Sequence, residues 1–242
     1  MAYKRFAKVY DIFMNDIPYG EWAEYVINRL KSYGVNPLKA KLLELGCGTG
    51  NMAKYFCVEG MHVTGIDLSE QMVKAANNKL IPNFRAYTHD MRVPFGKKEE
   101  YDVVVSLCDS MNYLTDKTDM QLTFKAAGRE LKKDGIFLFD LKTDVFFRNE
   151  LGDGIFADNR KNLSYIWENH YDEKKHINIY DITFFVKFLK LGKRGLYYSF
   201  KEHHVQRAYR TEFIINMAKQ NGFELLEKEE KNERIYYILK KK

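Results

Sequence analysis

A short apolar run that stops at a glycine-rich turn constrains this chain more than any other stretch. The run, L-L-E-L at residues 42–45, predicts a buried parallel strand, and the turn, G-C-G-T-G, occupies residues 46–50. Its three alternate glycines allow a tight backbone turn. The spacing of Met52, Tyr55 and Phe56 then predicts a helix. A strand that passes through such a turn into a helix N-terminus presents unpaired N–H groups, which suit the polar tail of a ligand.

The spacing of the glycines separates two classes of ligand. A dinucleotide site uses G-x-G-x-x-G, in which the third glycine allows the helix to pack closely. This turn is G-x-G-x-G and continues with Asn51. The pattern therefore favours a ligand other than NAD.

Strand and helix signals alternate along the first part of the chain. Two amphipathic helices, over residues 3–13 and 19–33, are predicted before the first strand. Later strands are predicted at residues 61–66, 83–87, 101–106 and 136–141. A helix over residues 117–133 is expected to end on the cationic turn K-K-D-G. This alternation predicts a doubly wound α/β sheet.

The periodicity changes after residue 145. Period-two patterns at residues 164–171, 179–188 and 195–207, with a turn at 192–195, predict an antiparallel sheet inserted after the fifth strand. A helix capped by Thr211 and a hairpin of residues 223–228 and 234–239 then complete the first sheet.

These patterns divide the chain into two parts. We expect one domain of residues 1–145 and 209–242, in which residues 1–34 form a helical cover, and an inserted β subdomain of residues 146–208. A length of 242 residues is sufficient for one α/β domain with such an elaboration.

Composition excludes little. The 39 Lys and Arg residues exceed the 33 Asp and Glu residues by six, and because this charge is spread along the sequence it does not demand a nucleic-acid partner. No stretch approaches the length of a membrane span. The three cysteines are odd in number and lack metal-like spacing, which predicts reduced thiols in a cytoplasmic protein.

Polar residues follow the predicted strand ends. Asp67 ends the second strand, where a short carboxylate can accept both hydroxyl protons of a ribose. Ser69 is placed to cap the next helix. Residues 107–114 follow the fourth strand, at the sheet edge where open α/β folds bind ligands, so we expect the substrate there.

Two stretches resemble one enzyme family. The sequence E-L-G-C-G-T-G at residues 44–50 resembles the first motif of the class I S-adenosylmethionine-dependent methyltransferases, and L-K-x-x-G-x-F-x-F-D at residues 131–140 resembles their fifth-strand segment. The resemblance implies a Rossmann-like seven-stranded sheet and S-adenosyl-L-methionine as cofactor. An antiparallel insert at this place is similar to that of the small-molecule branch, which includes amino-sugar and small-amine N-methyltransferases.

The same resemblance implies where the cofactor binds. The glycine turn would hold its methionine end, Glu44 would accompany the ammonium, and Asp90 and Met91 would bond to and cover the adenine. For Tyr10 and Met72, packing in the core is the alternative. The expected cofactor residues are Tyr10, Glu44, Gly46, Cys47, Gly48, Asp67, Leu68, Met72, Asp90, Met91 and Leu107.

Methyl transfer from a sulfonium is an in-line displacement, so the enzyme mainly has to position an unprotonated acceptor and exclude water. Tyr113 matches a family position near the acceptor, and we expect it to orient the acceptor and take its proton through water; packing is the alternative. His203 and His204 are adjacent on a predicted strand and therefore point to opposite faces, so we expect no metal site there.

Three functions remain open at this point. The first is a methyltransferase that acts on an amine or hydroxyl of a small molecule. The second is an RNA (tRNA) methyltransferase, for which the positive charge is the only hint. The third is a protein that binds S-adenosylmethionine without catalysis.

Overall fold

A computed structural model describes residues 6–160, 162–191, 194–231 and 233–242. The strands in these ranges are β1 Lys41–Leu45, β2 His62–Asp67, β3 Phe84–Thr88, β4 Tyr101–Ser106, β5 Leu131–Lys142, β6 Ile155–Asn159, β7 Leu163–Asp172, β8 Ile177–Leu191, β9 Arg194–Arg207, β10 Phe223–Lys231 and β11 Arg234–Lys241. The α-helices are α1 Tyr10–Phe13, α2 Tyr19–Ser32, α3 Ala53–Val58, α4 Glu70–Asn78, α5 Lys117–Glu130 and α6 Thr211–Gln220. Short turns of other helix types are Phe6–Lys8, Pro37–Lys39, Ser110–Tyr113 and Phe146–Leu151.

A seven-stranded sheet forms the centre of the molecule, in the order β10-β11-β5-β4-β1-β2-β3. The strands β1 to β5 pair in parallel, whereas β11 is antiparallel to both β5 and β10. This arrangement confirms the predicted Rossmann-like sheet. Because the strands β1 to β5 are parallel, their carboxyl ends meet at one edge, and the predicted site residues follow them there.

Both faces of this sheet are covered, which explains the near-continuous apolar runs of its central strands. Leu43 and Val104 pack into a core with α5 and α6, whereas Leu42 and Val103 pack on the other face against α2 and α3. Each of these four side chains is almost completely buried. Packing on both faces holds the strands in place, and with them the carboxyl-end edge where the candidate site lies.

The inserted segment forms a separate antiparallel sheet in the order β6-β7-β8-β9, as predicted after the fifth strand. Ile182 and Phe184 of β8 are buried against Phe6 and Val9 of the N-terminal segment. A register shift between Lys187 and Leu189 ends the regular alternation of β8. The sequence did not predict β6, whose residues are mostly exposed.

Several predicted boundaries are wrong. Helix α5 ends at Glu130 rather than at residue 133, because Leu131 already pairs with Tyr101 in the sheet. The K-K-D-G stretch therefore belongs to β5, where Asp134 has a positive φ of 63°. Thr211 does not cap α6; it is the first helical residue, and its hydroxyl hydrogen bonds to the hydroxyl of Tyr237.

Parts of two predictions lie outside the described residues, namely residues 3–5 of the first helix and residues 192–193 of the inserted turn. Within the described part, the first helix is reduced to a turn at Phe6–Lys8 and helix α1. The predicted domain boundaries remain a prediction. No helix in the described ranges is both long enough and apolar enough to cross a membrane.

Candidate active site

A cavity of about 650 Å³ opens at the carboxyl edge of the seven-stranded sheet. Its walls come from the glycine turn, the N-terminal segment (residues 6–17), the turn after β4 and the inner face of the inserted sheet. All the predicted site residues line this one cavity: Tyr10, Glu44, Gly46, Cys47, Gly48, Asp67, Leu68, Met72, Asp90, Met91, Leu107 and Tyr113. The structure thus brings them together, while their individual roles remain predictions.

The glycine turn has the backbone geometry that the sequence predicted. Gly46, Gly48 and Gly50 have φ values of +72°, +52° and +76°, which side chains rarely tolerate. A Cβ on Gly46 would lie 2.7 Å from Oγ of Ser110, whereas a Cβ on Gly48 would meet no atom of the described residues within 4 Å. Gly48 therefore leaves its backbone accessible from the cavity.

Glu44 reaches this cavity from β1 and is buried at 3% exposure. Among the described residues its Oε2 has no hydrogen-bond partner. Burial, and secondarily the charge of Asp67, raise the pKa of Glu44 to about 8. A charged carboxylate with such an oxygen is costly in a protein interior unless a cationic group lies beside it.

Asp67 lies at the end of β2, beside the glycine turn. Its Oδ2 accepts a hydrogen bond from the backbone N–H of Gly48 (2.9 Å) and its Oδ1 from that of Ser69 (2.8 Å). Burial raises the pKa of Asp67. Each carboxylate oxygen keeps further acceptor capacity. Ser69 in turn accepts from the N–H of Met72, which confirms the predicted N-cap of α4.

Asp90 is already engaged by an arginine that the sequence analysis missed. Its carboxylate receives hydrogen bonds from Arg92, of which the shortest is 2.6 Å, and Arg92 also binds Asp119 at 3.0 Å. Arg92 lowers the pKa of Asp90, which stays ionised. No local sequence pattern indicates the contact between Arg92 and Asp119, because Asp119 comes from helix α5.

The N-terminal segment is tied to both sheets. Asp11 accepts hydrogen bonds from the hydroxyl of Thr49 (2.6 Å) and the amide of Asn51 (3.1 Å), and it pairs with Lys79 at 2.8 Å. From the inserted sheet, Arg160 donates to the carbonyl oxygens of residues 12 and 13. The sequence predicts Tyr10 as a cofactor residue but indicates neither of these two anchors.

The far end of the cavity is aromatic. Tyr113 lies 2.7 Å from Tyr180, hydroxyl to hydroxyl, and 3.1 Å from Nδ1 of His204. Burial, and secondarily His203, lower the pKa of His204 to about 4, so its ring is neutral. His203 is exposed and lies 2.8 Å from Asp181, which confirms that the two histidines point to opposite faces. No group of His, Cys, Asp and Glu side chains in the described residues could hold a metal ion.

A buried ion cluster supports the turn after β4. Arg234 on β11 lies 2.9 Å from Asp109 and 2.6 Å from Asp140. Gln206 of the inserted sheet donates to the other oxygen of Asp109 at 2.7 Å. Asp109 and the preceding Cys108 have positive φ values of 55° and 58°. The cluster therefore holds a strained turn at the cavity wall, and no local sequence pattern announces it.

Comparison with known proteins places this geometry in context. Residues 42–135 match the family described as a methyltransferase domain. Over 227 residues the chain is 37% identical to the predicted methyltransferase YqeM of Bacillus subtilis strain 168. The aligned region covers 93% of this chain and 87% of that protein.

Solved structures share the whole architecture. An S-adenosylmethionine-dependent methyltransferase from Clostridium acetobutylicum superposes with a TM-score of 0.83 and 29% identity. The superposition covers 99% of this chain and 98% of that one. CalS10 of Micromonospora echinaspora, an amino pentose methyltransferase solved with S-adenosylmethionine bound, has a TM-score of 0.77 and 18% identity over 100% of this chain and 98% of that one. The second likeness shows the shared fold.

Proposed function

Because this chain belongs to the class I S-adenosylmethionine-dependent methyltransferases, we propose that it methylates an amine or hydroxyl group of a small-molecule acceptor. The cofactor of this family is S-adenosyl-L-methionine. The observation that carries the proposal is the single cavity of about 650 Å³, which runs from the glycine turn to the inserted sheet. That volume lies in the range of small-ligand pockets and suits two ligands that must meet in line.

The residues at the glycine turn fit the cofactor. Glu44, whose Oε2 has no hydrogen-bond partner in the described part of the chain, would receive the ammonium of the methionine end. Gly48 leaves room beside it, and Asp67 would accept the ribose hydroxyls. Asp90, held ionised by Arg92, would accept from the adenine amino group. The bound cofactor supplies an electrophilic methyl group on its sulfonium sulfur.

The opposite wall suits the acceptor. Tyr165 and Trp167 contribute aromatic surface, and the Tyr113 hydroxyl is the polar group placed to orient the attacking atom. In-line transfer requires an acceptor with a free lone pair and a site without bulk water. The N-terminal segment would exclude bulk water, because it is anchored to the glycine turn through Asp11 and to the inserted segment through Arg160.

The inserted sheet supports a small acceptor. We propose that residues 146–208 shape the acceptor pocket, and that residues 1–145 and 209–242 bind the cofactor beneath the cover of residues 1–34. The full-length likeness to an amino pentose methyltransferase supports an acceptor of sugar size that carries an amine.

Calorimetric titration and an acceptor panel test the proposal. The folded protein should bind S-adenosylmethionine and its demethylated product, and isotope-labelled methyl should pass to a member of a panel of nucleotide-linked amino sugars, small amines and hydroxyl compounds. Transfer to bulk tRNA with a steep salt dependence would instead favour the RNA alternative. Cofactor binding without transfer to any acceptor would favour a non-catalytic protein.

A further inference from the structure

One polar cluster in the cavity wall joins the two sheets. Tyr113 lies in the turn after β4, whereas Tyr180 and His204 lie opposite each other on β8 and β9. The Tyr113 hydroxyl is within hydrogen-bond distance of both, at 2.7 Å from the Tyr180 hydroxyl and 3.1 Å from Nδ1 of His204. All three side chains line the cavity. The inserted sheet therefore touches Tyr113 through two polar partners.

Aromatic packing fixes the orientation of the His204 ring. The ring stacks on Tyr180 with centroids 4.7 Å apart and an angle of 14° between the planes. It also meets Tyr113 and Phe6 edge to face, with centroid distances of 5.9 Å and 6.2 Å. His204 is only 2% exposed. A buried ring packed in this way keeps Nδ1 directed at Tyr113.

The charge state of His204 sets what Nδ1 can do. Burial lowers the pKa of His204 to about 4, with a smaller contribution from His203, and the carboxylates that oppose this shift do not offset it. Within the described residues, the titratable groups that face the ring or act on it include Tyr113, Tyr180, Asp109, His203 and Asp181. A neutral imidazole has one nitrogen without a hydrogen, which can accept a hydrogen bond.

We propose that His204 is a positioning residue, whose Nδ1 accepts a hydrogen bond from the Tyr113 hydroxyl and thereby turns a phenol lone pair toward the methyl acceptor. A tyrosine hydroxyl has one hydrogen and two lone pairs. When the hydrogen of Tyr113 is directed at His204, its oxygen acts as the acceptor toward the Tyr180 hydroxyl and toward an N–H or O–H of the methyl acceptor. This contact aims the lone pair of the acceptor atom at the methyl group. His204 takes up no proton.

The inference rests on the proposed function, but the direction of its hydrogen bond can be measured without a known acceptor. The sample is the protein saturated with S-adenosylhomocysteine and carrying histidine labelled with an NMR-active nitrogen isotope, followed between about pH 5 and 8. We expect an unprotonated Nδ1 on His204 that does not titrate, and a shift of its resonance in Tyr113→Phe. His204→Asn assigns the signal by removing it. A protonated Nδ1, or titration within this range, would overturn the inference.

Kinetics with an acceptor from the panel separate positioning from packing. His204→Asn keeps an acceptor oxygen near the place of Nδ1, whereas His204→Leu does not. We expect kcat to fall about 10- to 100-fold in His204→Leu and to recover most of that loss in His204→Asn, with unchanged cofactor affinity. His203→Asn, on the exposed face of the same strand, is the matched control and should retain full activity.

A double variant provides the last comparison. If His204 acts through Tyr113, then His204→Leu should cost little more in the Tyr113→Phe background, because both changes remove the same hydrogen bond. Additive losses, or equal losses in the Asn and Leu variants, would leave His204 a packing residue. If no acceptor in the panel were methylated, the proposed function would be contradicted. The NMR spectra would still show whether Nδ1 of His204 accepts a hydrogen bond from Tyr113.

Discussion

Asp11 of the N-terminal segment and Thr49 of the glycine turn are joined by a hydrogen bond of 2.6 Å. The same carboxylate also pairs with Lys79 of helix α4, at 2.8 Å. These contacts connect one wall of the cavity to the turn on which the cofactor is expected to lie. Closure of the N-terminal segment and cofactor binding are therefore expected to be coupled.

Replacing Asp11 by alanine should weaken cofactor binding. The variant loses charge-assisted hydrogen bonds that hold the N-terminal segment over the glycine turn. We expect the Kd for S-adenosylhomocysteine to rise about tenfold, equivalent to about 1.4 kcal/mol, measured by calorimetric titration. Glu24→Ala, on an exposed face of α2, is the control and should bind normally. An unchanged Kd in both variants would show that these anchors do not contribute to binding.

Glu44→Gln should affect stability and binding in opposite directions. The native carboxyl group is buried, and its Oε2 has no hydrogen-bond partner among the residues that the structure describes. A neutral amide avoids the desolvation cost of the charged carboxylate. We expect the ligand-free variant to gain about 1–3 kcal/mol in free energy of unfolding. Its affinity for S-adenosylmethionine should fall, because the ammonium loses its charged partner. Glu59→Gln, a surface partner of Lys31, should change neither property much.

The gain from Glu44→Gln should depend on pH. The pKa of Glu44 in the folded protein is raised from the ordinary 4.5 to about 8, so the folded state binds this proton more tightly than the unfolded chain does. Stability from this group is therefore lost as pH rises across that interval. The difference in Tm between the variant and the native protein should be small near pH 4.5 and largest above about pH 8. A difference independent of pH would contradict the buried-acid interpretation.

That the candidate cofactor residues lie together could be predicted from the sequence, because their signals are local. The glycine turn and Asp67 stand at strand ends, so their neighbours along the chain reveal the strand, the turn and the next helix. Ser69 follows the same logic as a helix cap. Once the strands pair in parallel, these positions meet at one edge.

The acceptor half could not be predicted in this way. His204 reaches Tyr113 from 91 residues further along the chain, and Arg234 reaches Asp109 from 125 residues away. Neither residue stands in a pattern that differs from a solvated strand. The boundary of α5 was mispredicted for a related reason, because pairing of Leu131 with Tyr101 overrides the helical signal of the sequence.

Gly48→Ala should impair binding more than folding. A Cβ at Gly48 meets no atom of the described chain within 4 Å, so the cost to the fold comes from the left-handed backbone, about 1–2 kcal/mol. The added methyl group projects at the cavity and should reduce cofactor affinity at least about tenfold. Gly34→Ala is the matched control: it also has a positive φ and open space, but it lies away from the cavity. Gly34→Ala should lose a similar amount of stability but bind the cofactor normally. Equal cofactor affinity in the two variants would contradict the placement of Gly48 beside the cofactor.

Arg234→Met should destabilise the fold strongly. Arg234 is the shared cation of Asp109 and Asp140, at 2.9 Å and 2.6 Å, and its loss leaves two carboxylates largely buried without their partner. We expect a loss of about 3–5 kcal/mol in the free energy of unfolding, measured by denaturant titration. Arg29→Met removes an ion pair that is about one-third exposed, with Glu229, and should cost less than about 1 kcal/mol.

The destabilisation of Arg234→Met should also grow with pH. In the native protein Lys142 and Arg234 outweigh burial and lower the pKa of Asp109, whereas burial raises the pKa of Asp140 against the opposing effect of Arg234. Without Arg234 the pKa values of both carboxyl groups should rise in the folded state, so the variant loses stability as pH rises from the acidic range to neutrality. Unfolding curves of both proteins at several pH values measure this. Parallel stability profiles would show that the cluster is not held by charge.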